Sequence, residues 1–400
     1  MTNPELDVAH IIELLEVDRD ILEKGRKRQE AVWKGQEPDY LPILMGGLKV
    51  SPPFKEIDPF FRKHVLFAEH WLELGVDIPE ARKNPEYNYR EMYLSKEKML
   101  EGYLWELIAI SRSRSDSQLS IRPNHGLGFI GGIFGLGIGV PEDNAPWITG
   151  RLSKEEINNF DVPDLRKVTI VSQMIEFTRY FQDKLKDKVP VFLPSTLGPF
   201  LIAHAVRGAD IFTDMYDDPE FVHRLMEMST RVYIEITKLF KEVIGEELTS
   251  GYHGTLYMAQ GGVRLCDCDS TLLSPELFAE FSLPYLKRAL EPFGGGWLHI
   301  CGHGNHLLDM YLDVPGIKGI NFGNPESWDY EKVMPRIIEK GKFYYGGFCR
   351  QKGENLRDYF ERIVKPLEGS KRGLIFIPRG ENIYQEDPEA CMELWHSLQR

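Results

Sequence analysis

The chain has 400 residues, of which 42% are hydrophobic and 27% are charged, and its formal net charge is −13. This apolar content supports a large core, whereas the acidic balance argues against nucleic acid or an anionic membrane as the partner, because Lys and Arg make such contacts. We expect a cytoplasmic protein, because the sequence shows no signal peptide, no apolar run of about 18 residues and five irregularly spaced cysteines typical of reduced thiols.

Helical patterns dominate residues 1–115. Val8–Lys24 is amphipathic, and Tyr89–Ser111 is a second long helical candidate. Prolines at positions 52, 53 and 79 interrupt the region between them, because proline ends or kinks a helix. This part of the chain is therefore predicted to be a helical extension.

After residue 115, short apolar runs alternate with helix-like segments up to residue 398. Strands that alternate with helices pair in parallel and carry the helices outside the sheet. The apolar runs are Leu119–Arg122, Val189–Leu193, Val263–Cys268, Trp297–Cys301, Ile317–Phe322, Phe343–Gly347 and Leu374–Ile377.

These seven runs, with Tyr40–Met45 as a candidate eighth strand, predict an α/β fold: a (β/α)8 TIM-type barrel over residues 116–400, after an N-terminal helical extension of residues 1–115. A doubly wound open sheet is the alternative. We expect the extension to cover the barrel mouth or to form a homodimer contact. Active sites of such barrels lie at the carboxyl ends of the strands. Seven candidate residues fall there: Arg122, Cys268, His299, Cys301, Asn321, Cys349 and Arg379.

His299 and Cys301 are the most informative pair. Residues two apart on a strand lie on the same side of it, so both side chains can point at one atom. Nitrogen and sulfur donors suit Zn²⁺, which keeps one position open in catalytic sites. The alternative is a buried cysteine beside a histidine that caps a loop.

The neighbouring strand ends in two cysteines that alternate with two aspartates. We expect Cys268 or Cys349 to extend the metal site, and we interpret Cys266 as a packing residue. Asp269 is expected to orient His299 or to act as an acid or base.

Arg122 begins a second group of candidates. An arginine at a strand end presents a bidentate fork that suits a carboxylate or a phosphate, although a surface ion pair is the alternative. We expect Arg122 and Arg379 to bind the anionic end of a small substrate, and Asn124, His125 and Asn321 to contact the same molecule.

Two further segments are assigned no chemistry. Gly126–Gly131 matches the dinucleotide-binding pattern G-x-G-x-x-G, but the glycines that follow argue against a helix opening there, and no ribose-binding acid lies about 20 residues on. We expect a flexible apolar loop that closes over a bound ligand. His204, in an apolar helical turn, is interpreted as a packing or capping residue.

Three stretches resemble the uroporphyrinogen decarboxylase superfamily, and the resemblance extends over roughly residues 115–395. They are Gly198–Gly208 with residues 215–222, the Cys268–Leu286 block with its Ser-Pro-Glu and Pro-Tyr elements, and His299–Gly302. The last resembles the zinc-binding segment of the corrinoid-dependent methyltransferases in that superfamily. The resemblance implies a (β/α)8 barrel, in agreement with the pattern of strands.

The chain also departs from that superfamily. Arg379 stands in the last-strand turn where the zinc methyltransferases place a third ligand, a cysteine. Asn321 lies near the position from which related enzymes can supply a glutamate. Nothing in Tyr40–Lys55 resembles the arginine-rich segment with which uroporphyrinogen decarboxylases grip propionates.

The resulting hypothesis is a zinc-dependent methyltransferase that moves a methyl group between a corrinoid protein and a small thiol or another small molecule. In it, His299 and Cys301, with Cys268 or Cys349, hold the metal, and Asp269 orients a ligand or relays a proton. The alternative is a metal-free decarboxylase of the uroporphyrinogen type that acts on a carboxylated pyrrole or a related acid. A non-catalytic ligand-binding barrel is the third possibility.

Overall fold

The structure is a computed structural model that describes residues 8–45, 87–142, 145–380 and 386–400. Pro52, Pro53 and Pro79, most of Tyr40–Lys55 and the end of the last-strand turn lie outside the described residues. The described N-terminal helices are α1 (Val8–Glu13), α2 (Arg19–Trp33), α3 (Tyr89–Leu94) and α4 (Lys96–Arg112).

Each of the two predicted N-terminal helices is divided into two helices in the structure: Val8–Lys24 falls on α1 and α2, and Tyr89–Ser111 falls on α3 and α4. Asp18 caps α2 by accepting bonds from the backbone N–H groups of Asp20 and Ile21. Ser95 caps α4 in the same way, through the N–H of Lys98. A short polar side chain at an N-cap starts a new helix, and the amphipathic pattern continues across the break.

The remaining elements follow in chain order, joined in places by short 3-10 turns. They are α5 (Gly128–Ile133), β1 (Gly137–Gly139), β2 (Trp147–Thr149), α6 (Lys154–Asn158), α7 (Thr169–Leu185), α8 (Pro199–Arg207), α9 (Asp210–Asp217), α10 (Pro219–Ile244), β3 (Gly251–His253), β4 (Leu256–Met258), β5 (Val263–Cys266), α11 (Pro275–Phe281), α12 (Leu283–Leu290), β6 (Gly296–Ile300), α13 (Leu308–Leu312), β7 (Ile317–Phe322), α14 (Tyr330–Glu339), β8 (Phe343–Gly346), β9 (Cys349–Arg350), α15 (Leu356–Val364), β10 (Leu374–Phe376), β11 (Arg379–Gly380) and α16 (Pro388–Ser397).

Five parallel strands form the regular part of the barrel, in the order β5-β6-β7-β8-β10. Three extended segments, which contain Ile43, Ile121 and Val191, continue the barrel. Ile43 pairs with Phe376 of β10 through a single bridge, and Ile121 pairs with Val191 in the same way. The chain after Val191 reaches β5 at Gly198, whose N–H bonds to the carbonyl of Cys266. The strands run in chain order without the reversal of a doubly wound sheet. The TIM-type barrel is therefore confirmed, and Tyr40–Met45 supplies its first strand.

Side chains alternate between two cores along the strands. On β6, Leu298 and Ile300 belong to the large core between the sheet and the helices, whereas Trp297 lies in a smaller core inside the barrel. Trp33 of α2 joins that inner core, with its ring 4.9 Å from the ring of Phe343 at the start of β8. The extension thus closes the amino end of the barrel, and the carboxyl ends of the strands form the opposite face.

The glycine-rich segment corrects one expectation. It folds into helix α5 and the β1–β2 hairpin rather than into a flexible loop. A Cβ added at Gly131 would lie 2.7 Å from a side-chain carbon of Ile148, and one at Gly128 would lie 2.7 Å from Ile138. The glycines allow the helix to pack closely on the hairpin. No membrane-spanning helix is found within the described residues.

Candidate functional site

Four soft donor groups meet at the carboxyl ends of β5 and β6. Cys266 and His299 are direct neighbours in the parallel register, and the donor atoms of Cys266, Cys268 and His299 all lie within 4.8 Å of one another. The Sγ atoms of Cys266 and Cys268 are 3.4 Å apart. The Sγ of Cys301 lies 3.2 Å from Nε2 of His299. We call these four residues the thiol cluster.

Asn321 holds the His299 ring in one orientation. It is the neighbour of His299 on β7, and its Oδ1 lies 2.6 Å from Nδ1 of the ring. Its Nδ2 donates to the carbonyl oxygen of Tyr345, which leaves Oδ1 as the acceptor. His299 therefore carries its proton on Nδ1 and directs the lone pair of Nε2 at the thiols. Asn321 thus has a positioning contact with His299, and its expected substrate contact stays a prediction.

The thiols share protons unequally. The hydrogen bond from Cys268 is the largest influence that lowers the pKa of Cys301, and the charge of Arg264 acts in the same direction against burial. The bond to Cys268 likewise lowers the pKa of Cys266, whereas both bonds raise the pKa of Cys268 itself. The proton therefore stays on the central sulfur, and the outer two sulfurs favour the thiolate.

The thiol cluster fits a zinc ion. Zinc takes thiolate sulfur at about 2.3 Å and imidazole nitrogen at about 2.0 Å, so two ligand atoms around one ion stand roughly 3.5–4 Å apart. The donor atoms of Cys266, Cys268 and His299 lie within 4.8 Å of one another, and Sγ of Cys301 lies 3.2 Å from Nε2 of His299, so these separations bracket that value. Gly323 keeps the space open, because a Cβ there would lie 2.6 Å from Sγ of Cys301 and 3.2 Å from Cε1 of His299. The neutral imidazole and the thiolates are also the donor types that zinc prefers.

Two arginines face the barrel interior, and one of them, Arg264, lies beside the thiol cluster. Arg122 is buried, as an inward-facing residue of the second barrel strand, and its Nη1 donates to the carbonyl of Leu193 at 3.2 Å. The surface ion pair that was the alternative for Arg122 is therefore wrong. Arg264 precedes Cys266 by two residues on β5, and its Nη2 is 4.0 Å from Sγ of Cys266.

The two aspartates of this segment bond to residues other than His299. Asp269 bonds to Nδ1 of His204 on α8 at 2.6 Å, so it does not orient His299 as expected, and His204 is more than a packing residue. Asp267 accepts from Ser270 and Tyr311 at 2.7 and 2.8 Å. Burial raises the pKa of Asp267 to about 7.

Cys349 and Arg379 lie together on a small separate sheet. Cys349 of β9 pairs with Arg379 of β11, and the Cys349 side chain is exposed. Among the described residues, the group that could hold a metal ion comprises Cys266, Cys268 and His299 and includes neither Cys301 nor Cys349, although Sγ of Cys301 lies 3.2 Å from Nε2 of His299. The structure therefore brings the predicted ligands His299, Cys301 and Cys268 together and leaves Cys349 outside.

The two residues after Pro123 serve the local structure. Asn124 accepts a bond from the N–H of Gly126 and so closes a tight turn. His125 is 1% exposed, and its ring packs edge-on against Tyr93 and Phe177. The structure does not bring either of them to the thiol cluster, and their substrate contacts stay predictions.

Sequence reasoning passed over two residues of the site. The apolar neighbours of Cys266 favour a packing role for it, and the sequence assigns no role to Arg264. Both lie on the same side of β5 at a spacing of two residues, and Cys268 follows two residues later, just past the end of the strand; His299 and Cys301 have the same spacing at the end of β6. Extending that period backwards from Cys268 is the signal that identifies them.

Comparisons with known proteins agree with this architecture. The model of the uroporphyrinogen decarboxylase family matches residues 127–243 and 255–397, which is more than half of the chain. A solved methyltransferase from Methanosarcina mazei is similar in structure, with a TM-score of 0.58 and 16% sequence identity over 94% of this chain and 98% of that chain. At this identity the likeness shows the fold alone. No curated protein matches the sequence significantly.

Proposed function

The chain belongs to the uroporphyrinogen decarboxylase family, and we propose that it is a zinc-dependent methyltransferase of that family. It moves a methyl group between a corrinoid protein and a small thiol or another small molecule. The observation that carries the proposal is the thiol cluster, four soft donors at the carboxyl ends of two adjacent barrel strands. The methyltransferase fold of the solved M. mazei protein supports it.

The proposed ligands come from the thiol cluster itself. His299 supplies Nε2, and the sulfurs are drawn from Cys266, Cys268 and Cys301. Cys266 thereby replaces the last-strand cysteine of the related methyltransferases, whose place Arg379 occupies. Zinc held by such ligands lowers the pKa of a bound substrate thiol and so keeps it nucleophilic at neutral pH.

The other residues of the site bind, orient and exchange protons. Asn321 keeps Nε2 of His299 directed at the thiols. The guanidinium of Arg264, next to Cys266, supports the thiolate form of the cluster. Asp269 and His204, each about one quarter exposed, form a hydrogen-bonded pair that can pass the proton of the substrate thiol to solvent.

A methyl-transfer assay on the zinc-loaded chain tests this function. Free methylcobalamin replaces the corrinoid protein as methyl donor, and formation of the methyl thioether of an added small thiol is followed by mass spectrometry. The wild type is expected to form product only with zinc bound. His299→Ala is expected to lose both the metal and the activity, whereas His10→Ala, on the exposed side of α1, keeps both.

Two results would contradict the proposal. One is full activity of His299→Ala. The other is a zinc-free wild type that releases carbon dioxide from a carboxylated pyrrole, which would establish the decarboxylase alternative instead.

A further inference from the structure

Cys266 and Cys268 lie where β5 ends and a 3-10 turn begins. Cys266 is the last residue of the strand, and Cys268 is the first residue of the turn. In a regular strand, residues two apart have Cα atoms about 6.6 Å apart, which is near the upper limit for a disulfide. Asp267 between them leaves the strand conformation, with φ −129° and ψ 42°, and so brings the two cysteines closer together. Their Sγ atoms are 3.4 Å apart.

Hydrogen bonds hold the backbone around this pair. The carbonyl of Cys266 accepts from the N–H of Gly198 at 2.7 Å, and the N–H of Asp267 donates to the carbonyl of His299 at 2.9 Å. The carboxylate of Asp267 accepts from two side-chain hydroxyls. Rotation of the two cysteine side chains, without movement of the strand, therefore suffices to close the gap from 3.4 Å to the bonding distance of about 2.05 Å.

A disulfide at this place removes two of the four donors of the thiol cluster. His299 and Cys301 remain, with Sγ of Cys301 at 3.2 Å from Nε2 of His299. Two ligands do not hold zinc, because zinc sites in proteins use at least three protein ligands. We propose, resting on the proposed metal centre, that Cys266 and Cys268 form a redox switch: a peroxide converts them into a disulfide, and the metal leaves the thiol cluster.

The oxidation consumes one molecule of hydrogen peroxide. Cys268 is partly exposed, whereas Cys266 is buried, so the peroxide meets the sulfur of Cys268 first. The O–O bond breaks, one oxygen forms a sulfenic acid on Cys268, and the other leaves as water. The thiol of Cys266 then displaces the sulfenic oxygen, which leaves as a second water while the S–S bond forms. The two sulfurs are oxidised, and the two oxygens of the peroxide are reduced.

The resulting disulfide is expected to be reversible. It closes a ring that spans only Cys266, Asp267 and Cys268, and strained or accessible disulfides are the labile ones. A dithiol such as dithiothreitol attacks the S–S bond, takes over the bond as its own cyclic disulfide and restores both cysteine thiols. The thiol cluster then has its four donors again.

Peptide mapping of the full chain tests the inference. Trypsin cuts after Arg264 and Lys287, so one peptide contains Cys266 and Cys268 and no other cysteine, whereas Cys301 lies in the peptide that begins at Ala289. The metal-free chain is treated with about one equivalent of hydrogen peroxide, its remaining thiols are alkylated, and the digest is analysed by mass spectrometry. The first peptide is expected to lose two hydrogens and to escape alkylation, and dithiothreitol is expected to restore both thiols.

Two variants accompany the wild type. Cys268→Ser is expected to show no loss of hydrogens in this peptide. Cys349→Ser is the matched control, because Cys349 is exposed on β9, outside the thiol cluster, and it is expected to form the disulfide as the wild type does. If Cys268→Ser does not fold, the wild-type map decides the question alone. A disulfide that links the peptide of Cys301 to that of Cys268, or oxygen uptake without a disulfide, would overturn the proposal.

The zinc-loaded chain separates this inference from the proposed function. Under the same peroxide treatment, a chromophoric chelator is expected to detect one released zinc for each disulfide, and the chain is expected to take up zinc again after reduction. If zinc is retained after the disulfide has formed, or leaves without a disulfide, the switch is wrong and the metal centre stands. If the disulfide forms but the chain never binds zinc, the proposed metal centre is wrong and the redox-active pair stands.

Discussion

Replacing Asn321 by leucine separates a positioning contact from the metal ligands themselves. The substitution keeps the approximate size of the side chain but removes the Oδ1 that accepts from His299 Nδ1 at 2.6 Å. The ring then loses the acceptor that Asn321 provides at Nδ1, and the tautomer with a protonated Nε2, which cannot bind a metal through that nitrogen, becomes accessible. Loss of such a contact behind a ligating histidine weakens metal binding about 10- to 100-fold, or about 1.4–2.8 kcal/mol.

Competition with a chromophoric chelator measures the zinc dissociation constant of Asn321→Leu at neutral pH. Asn305→Leu is the matched control, because Asn305 is exposed and contacts Arg336 at the surface. The control is expected to bind zinc as the wild type does. A dissociation constant for Asn321→Leu within about twofold of the wild type would refute the reasoning, because it would mean that His299 is not held, or is not a ligand, in the way described.

Three further outcomes follow from packing and burial. Gly323→Ala would place a Cβ 2.6 Å from Sγ of Cys301, so it is expected to lower the zinc retained per chain in elemental analysis; full occupancy would contradict this. Burial lowers the pKa of His125 to about 3, and the unfolded ring titrates near about 6.5. Between these pH values the unfolded state binds a proton that the folded state does not, so the contribution of His125 to the free energy of unfolding is expected to fall by about 2 kcal/mol between about pH 7 and pH 5. Denaturant titrations of His125→Phe are expected to lack this contribution; the same pH dependence in the variant and the wild type would contradict a neutral buried ring. Trp33→Ala is expected to cost about 3–5 kcal/mol of unfolding free energy and Trp147→Ala, which is 52% exposed, less than about 0.5 kcal/mol; equal costs would contradict the closure of the barrel by α2.

The barrel could be predicted because its signal is repeated along the chain. Each strand is a short apolar run, and each is followed by a helical pattern, so an error at one element leaves the others intact. The boundaries of the first helices could not be predicted as well. The apolar period continues through Asp18, and only the capping bonds of its side chain show that one helix ends and another begins there.

The residues proposed as metal ligands could be predicted in part. His299 and Cys301 are two residues apart, so one strand brings them together, and Cys268 follows from the neighbouring strand. Contacts between distant segments carry no such period. Asp269 meets His204 across 65 positions, and the sequence contains no pattern that pairs them.

The role of Arg264 could not be predicted from the sequence. A single arginine on a short apolar strand does not reveal whether it faces the barrel interior or the helices. The register of β5 with β6, which places Arg264 opposite Trp297, decides this. The same register places Cys266 opposite His299 and so includes it in the thiol cluster, in place of the packing role that its apolar neighbours favour.

The zinc K-edge absorption spectrum of the zinc-loaded chain tests the central claim most directly. The account predicts about one zinc per chain with a tetrahedral shell that contains sulfur at about 2.3 Å and one imidazole nitrogen at about 2.0 Å. The imidazole scattering is expected to disappear in His299→Ala. A shell of oxygen and nitrogen without sulfur, or a chain that retains no zinc after loading, would contradict the assignment of the thiol cluster as the metal centre.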